Sequence, residues 1–323
     1  MNNRHTVPIQ VLLLFDLPED MLKRLREMDA RITINRYQAP TTNVEMMRQA
    51  EVIYGGINLD ELTQTERLRW VQTAGAGIPQ SILEPLKERG ITLTNASGIH
   101  AAPIVEQMFG MVLMHERRLA RAWEMQKEQN WSSALYRDTL GVLTGRTLGV
   151  LGVGGIGKHT ARVGQAFGMR VIGLRRTGES CPYVKRMYTP ENRLEFFTAS
   201  DIVMNSLPLT ARTREFVGSA ELAAMPKGGI IVNTGRGPTI DTEALLDNLR
   251  RGHLGAAMLD VTDPEPLPKG HPLWTAPNIY ITPHFSGLRP DYARYAGEVF
   301  LNNMKHYLCG EAMTNVVDLD EGY

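Results

Sequence analysis

Cysteine is scarce in this chain, with only Cys181 and Cys309 among 323 residues. That excludes a disulfide scaffold and fits a reducing compartment with both thiols idle. Charge of either sign is not in excess either, since 35 basic residues balance 35 acidic ones. The electrostatic footprint of a nucleic-acid or anionic-membrane partner is therefore missing. No C-x-x-C pair or histidine-rich cluster is present, so no metal is expected. Long apolar runs are also absent: residues 9–15 fall far short of a membrane span, lack a cleavage-type sequel, and read as the first strand of a soluble cytoplasmic protein. What the chain does have is 43% apolar residues, enough for a sizeable core and, at this length, for two domains.

Near the middle stands Val150-Leu151-Gly152-Val153-Gly154-Gly155-Ile156-Gly157, an apolar strand running into glycines spaced G-x-G-x-x-G. The pattern places a tight turn between a strand and a helix, where backbone N–H groups can hold a dinucleotide pyrophosphate. Gly152 makes the turn, Gly154 lets the backbone approach the phosphates, and Gly157 lets the helix close on its strand. Gly155 and Ile156 complete the loop, Ile156 packing under the pyrophosphate and ribose. A helix at 158–167 and a second strand at 170–174 finish one βαβ unit.

The end of that second strand selects between two dinucleotides. An acidic residue there would accept the adenosine ribose hydroxyls of NAD, yet this chain has Arg175-Arg176-Thr177-Gly178. Guanidinium groups match a 2′-phosphate in charge and in forked geometry, with Thr177 able to add a hydroxyl. NADP(H) is thus expected in preference to NAD(H).

Strands and helices alternate in two series, which predicts an α/β fold of two Rossmann-like domains, doubly wound parallel sheets with an interdomain cleft. Strands are expected at 7–15, 31–34, 52–54, 68–73 and 91–94, then at 147–151, 170–174, 201–205, 229–233, 255–259 and 279–282. One long helix is expected over 102–123 and a closing helix over 292–308. Residues 1–100 with 289–323 are expected to form a flavodoxin-like substrate-binding domain, and residues 101–288 the dinucleotide-binding domain.

Several stretches taken together resemble the D-isomer-specific 2-hydroxyacid dehydrogenase family. They are Gln72-Thr73-Ala74-Gly75-Ala76-Gly77, the glycine loop, Asn205-Ser206-Leu207-Pro208-Leu209-Thr210, Asn233-Thr234-Gly235-Arg236-Gly237, the run from Leu259 to Leu267, and Thr282-Pro283-His284-Phe285-Ser286-Gly287. The arginines after the second strand look like the NADP-using branches, glyoxylate and hydroxypyruvate reductases among them. The resemblance implies interconversion of a 2-oxoacid and its D-2-hydroxyacid, a homodimer, and roles for Arg236, Glu265 and His284. It also implies substrate contacts from Ala74, Gly75 and Ala76, an adenosine wall from Leu207 and Pro208, a place for Thr234 beside the nicotinamide riboside, and Asp260 as acceptor for the carboxamide.

Those roles fit the chemistry that 2-oxoacid reduction needs. An imidazole can give a proton to the developing alkoxide, and a carboxylate can orient the ring and favour its charged form. From the residues alone Asp260, Asp263, Glu265 and Glu298 all compete for that place; the resemblance picks Glu265. Arg236, between two glycines after a strand, can fork onto the substrate carboxylate and polarise the ketone. The rest of the substrate is left to the loops at 54–57 and 98–100 and to Phe285, Leu288 or Arg289, so glyoxylate, hydroxypyruvate and bulkier 2-oxoacids all remain open. A dinucleotide-sensing protein with the same fold is the competing class, but binding NADP(H) does not require Arg236, Glu265 and His284 as a set.

Overall fold

Short runs of β-branched residues set the strands, and their burial on both faces shows where each sheet lies in its core. The computed structural model describes residues 7–36 and 44–322. The chain divides into two units, Met1–Ile99 with Arg289–Tyr323, and His100–Leu288.

In the first unit β1 (Ile9–Leu13), β2 (Ile32–Arg36), β3 (Val52–Tyr54), β4 (Trp70–Gln72) and β5 (Thr92–Thr94) make a parallel sheet. Its order, β2-β1-β3-β4-β5, is the flavodoxin-like one. Helices α1 (Glu19–Met28), α2 (Val44–Gln49), α3 (Leu59–Thr63) and α4 (Leu83–Glu88) fall between the strands. Alternate side chains leave β1 on opposite faces: Val11 and Leu13 join Met21 and Leu22, while Leu12 joins Met47 and Leu62.

The second unit holds seven parallel strands, β6 (Thr147–Leu151), β7 (Arg170–Leu174), β8 (Arg186–Tyr188), β9 (Ile202–Asn205), β10 (Gly229–Asn233), β11 (Leu254–Leu259) and β12 (Ile279–Ile281). Their order is β12-β11-β10-β9-β6-β7-β8. The winding reverses between β6 and β9, and such a switch point opens a crevice at the carboxyl ends of the strands. Helices α5 (Ala101–Glu116), α6 (Leu119–Lys127), α7 (Gly155–Ala166), α8 (Arg193–Thr198), α9 (Ser219–Ala224) and α10 (Thr242–Arg250) belong to this unit. Ile230 and Val232 of β10 enter one core and Ile231 the other.

The chain returns to the first unit as α11 (Tyr292–Cys309). Its Phe300 is fully buried and stacks on Tyr54 with ring centroids 4.4 Å apart. Such a pair adds about 0.5 to 1.5 kcal/mol beyond the area it buries, so α11 is part of this core and not an appendage. Asn303 Nδ2 donates to Gln72 Oε1 at 2.9 Å and to the Thr314 carbonyl at 3.0 Å, so the buried amide is satisfied.

Two features differ from the sequence expectation. The edge strand β8 was not foreseen, because three residues with an exposed arginine carry too little alternation to register. The single helix over 102–123 is in fact two, broken at Arg118 in the left-handed region with φ 52°. His115-Glu116-Arg117-Arg118 interrupts the apolar face there, and the arginines turn outward to other partners. Arg117 Nη1 donates to the Gly141 carbonyl at 3.1 Å, Arg118 Nε to that of Thr139 at 3.2 Å, and Glu116 pairs with Arg146 at 2.6 Å.

Just before this break His115 is buried, its Nδ1 3.2 Å from the Tyr280 hydroxyl. Burial first, then Arg118, holds the ring below its ordinary value, with Glu116 opposing. The unfolded chain therefore takes up the proton more readily. The stability this provides is complete above about pH 6.5 and is lost as pH falls through the lower folded value. Thermal unfolding across that window should show a falling Tm in acid and a flatter profile for His115→Gln; equal slopes for the two proteins would remove His115 as the cause.

Candidate active site

The glycine loop lies at the carboxyl end of β6, beside the switch point. Gly152 N–H donates to the Leu174 carbonyl at 3.0 Å, and Ser206 Oγ donates to the Gly152 carbonyl at 2.9 Å, so the ends of β7 and β9 both hold it. Gly152 has φ +91°, and a Cβ at Gly157 would fall 2.2 Å from the Gly152 carbonyl oxygen. Only glycine meets both demands. A Cβ on Gly154 would meet nothing within 4 Å, and α7 starts after it with no side-chain cap. Open space over an uncapped helix start suits a pyrophosphate. The helix begins at Gly155, earlier than expected, so Gly155, Ile156 and Gly157 lie within its first turn, with Ile156 half-buried against the core.

Arg175 follows β7 directly, one residue past the carbonyl that anchors the loop. Its side chain is mostly buried, its Nε has no partner among the described residues, and its Nη2 contacts Glu179. Arg176 and Thr177 are exposed on the same turn. Leu207 N–H donates to Asn205 Oδ1 at 3.0 Å, fixing the segment that continues through Pro208. These features fit a bound dinucleotide.

On the other side of the sheet, β10, β11 and β12 are neighbours, and Arg236, Glu265 and His284 follow their carboxyl ends in that order. His284 Nδ1 lies 2.5 Å from Glu265 Oε1, which leaves Nε2 as the nitrogen free for chemistry. Of the four acidic candidates the structure brings Glu265 to the ring. Arg236 is half-buried, donates from Nη1 to the Gly235 carbonyl at 2.7 Å, and has no carboxylate within 4.0 Å among the described residues. A Cβ on Gly237 would fall 1.9 Å from the Thr262 carbonyl oxygen, so glycine lets the Arg236 segment close against the turn leading to Glu265.

The residues that hold this arrangement were not foreseen. Asn205 Nδ2 donates to Asn233 Oδ1 at 3.1 Å and to Thr239 Oγ1 at 2.8 Å, while Asn233 Nδ2 and Thr239 Oγ1 donate to the Arg236 carbonyl at 3.1 and 2.6 Å. All three side chains are buried. Three polar residues clustered after apolar strands were the available signal. Thr234 is buried too, its hydroxyl 3.5 Å from Met108 Sδ.

Asp260 directly follows β11. Expected as acceptor for the carboxamide, it already accepts from Thr282 Oγ1 at 2.6 Å, Gln107 Nε2 at 3.2 Å, Phe285 N–H at 3.2 Å, Ser286 N–H at 3.1 Å and Ser286 Oγ. Four of these five bonds come from residues 282–286 and hold that turn. His284 itself has φ 51° and donates its N–H to the Asp260 carbonyl at 2.9 Å.

The first unit carries the Ala74-Gly75-Ala76 turn after β4. The Tyr292 hydroxyl donates to the Ala74 carbonyl at 2.8 Å, Thr73 Oγ1 to that of Gly75 at 2.8 Å, and Asn95 Nδ2 to that of Ala76 at 3.4 Å. Its carbonyls are tied inward. In the loop at 54–57 Tyr54 and Ile57 are buried, Gly56 is exposed and Gly55 has φ +130°. Arg289 is occupied too, bonded to Asp291 at 2.8 Å and lying 3.3 Å over the Tyr295 ring.

A switch-point glycine loop across the sheet from a histidine–carboxylate pair is the equipment of a dinucleotide-dependent oxidoreductase. The NAD binding domain of D-isomer specific 2-hydroxyacid dehydrogenases matches residues 109–286. A glyoxylate reductase from Aeropyrum pernix is 33% identical over 301 residues, 88% of each chain. Among solved structures, a D-isomer specific 2-hydroxyacid dehydrogenase family protein from Aeromonas salmonicida has a TM-score of 0.83 at 30% identity, covering 97% of this chain and 99% of that one. A D-isomer specific 2-hydroxyacid dehydrogenase from Xanthobacter autotrophicus in complex with NADPH and MES has a TM-score of 0.80 at 25% identity, covering 98% and 100%. This chain belongs to the D-isomer specific 2-hydroxyacid dehydrogenase family. Among its described residues no helix is long and apolar enough to cross a membrane.

Proposed function

We propose that this protein reduces a 2-oxoacid to the D-2-hydroxyacid with NADPH, and catalyses the reverse oxidation. The carrying observation is the His284–Glu265 contact at 2.5 Å on strand ends next to that of Arg236, a cation with no carboxylate of its own among the described residues. Arg236 binds the substrate carboxylate and polarises the ketone, His284 Nε2 gives the proton to the ketone oxygen, and Glu265 orients the ring and stabilises its charged form. Ala74, Gly75 and Ala76 are proposed as the first unit's substrate contacts.

The dinucleotide, when bound, supplies the hydride. Gly152, Gly154, Gly155, Ile156 and Gly157 would hold its pyrophosphate, Leu207, Pro208 and Thr234 its adenosine and riboside, and Arg175, Arg176 and Thr177 the 2′-phosphate. The arginines favour NADP(H) over NAD(H), and the Xanthobacter relative in complex with NADPH supports that reading. Glyoxylate is the first substrate to try, given the name of the Aeropyrum relative. Two further readings accompany the activity. Free Cys181 and Cys309 fit the cytoplasm. A homodimer would cover Leu119, Trp123, Trp131 and Val142, which stand exposed, Trp131 completely; sedimentation at a monomer's mass would reject it.

The test follows nucleotide absorbance with purified protein, NADPH or NADH, and a panel of 2-oxoacids compared by kcat/KM. Turnover is expected with D product and with NADPH favoured. An L product would contradict the proposed stereochemistry. A cofactor-driven change of assembly with no turnover on any 2-oxoacid would favour the sensing protein.

A further inference from the structure

We propose that Glu179 sets the strength of the NADPH preference by holding Arg175. The inference rests on the reading of Arg175 as a 2′-phosphate ligand. The turn after β7 brings the two side chains together: Arg175 N–H donates to the Tyr188 carbonyl at 3.1 Å, Gly178 N–H donates back to the Arg175 carbonyl at 3.4 Å, and Gly178 has φ +65°. The chain thereby reverses, and the Glu179 carboxylate meets Arg175 Nη2. The partners differ in exposure, with 19% of the Arg175 side chain accessible against 71% of Glu179. The arginine side chain is mostly buried, whereas the glutamate reaches it from solvent.

This pairing bears on one of the two dinucleotides. A 2′-phosphate needs the guanidinium donors that Glu179 engages, and its charge is repelled by the carboxylate. The 2′-hydroxyl of NADH carries no charge and makes no comparable demand. Glu179 therefore weakens NADPH binding selectively, drawing the two affinities together. Because the pair is exposed on the glutamate side, the effect is modest, about two- to fivefold in affinity.

Calorimetric titration of NADPH and NADH into wild type, Glu179→Gln, Arg175→Gln and the double variant tests this without relying on turnover. Glu179→Gln should tighten NADPH about two- to fivefold and leave NADH unchanged, and most of that gain should vanish when Arg175 is also glutamine. No gain for NADPH, an equal gain for both dinucleotides, or a gain that persists in full without Arg175 would overturn the inference. A selective NADPH loss in Arg175→Gln with no effect of Glu179→Gln would remove this inference alone. Equal losses of NADPH and NADH in Arg175→Gln would remove the phosphate reading beneath it.

Discussion

His284→Ala should lower kcat for 2-oxoacid reduction by about 10² to 10⁴-fold, the usual worth of a positioned general acid, while leaving NADPH binding unchanged. The separation is expected because His284 follows β12 whereas the glycine loop follows β6, with three strands between them in the sheet order. Loss of the imidazole opens no gap in the phosphate site. Glu265→Gln should act differently: an amide keeps the shape and a hydrogen bond to Nδ1 but favours the imidazolium less than a carboxylate does. Turnover should accordingly fall, by less than in His284→Ala, with NADPH binding unchanged. Full turnover in His284→Ala would overturn the mechanism, and full turnover in Glu265→Gln would remove the glutamate's charge from it.

Arg236→Gln should lower kcat/KM by about 10² to 10³-fold, comparable to losing a preorganised donor at a developing oxyanion. The loss should be divided between a raised KM, from the carboxylate, and a lowered kcat, from the polarised ketone. Arg236→Lys keeps the charge but not the fork, and should recover only part of the activity. The backbone around Arg236 should survive either change, because Asn233 and Thr239 hold its carbonyl and not its side chain. Wild-type kcat/KM for Arg236→Gln would show that the substrate carboxylate binds elsewhere.

The sequence carried the parts of this protein that depend on local patterns. Apolar β-branched runs bounded by polar segments located most strands, and glycine spacing located the loop at Gly152, since backbone angles and a missing Cβ are properties of single residues. Arg175 and Arg176 stood out because an acid would otherwise be expected there. The break at Arg118 was not legible, because the helix pattern continues beyond it and the competing partners, the Thr139 and Gly141 carbonyls, are reached only through the fold.

What the tertiary structure decided was partnership. Four carboxylates could have served His284, and strand order brought Glu265 to it, because β11 and β12 are adjacent and the turns after them meet. Asp260 was drawn instead into bonds from Thr282, Phe285 and Ser286 that hold the 282–286 turn, and Tyr54 into a stack with Phe300 from the far end of the chain. A sequence sets which side chains can donate, accept or carry charge. Which lone pairs remain uncommitted depends on neighbours far away in the chain, and only the packed fold brings those neighbours within a hydrogen bond's reach.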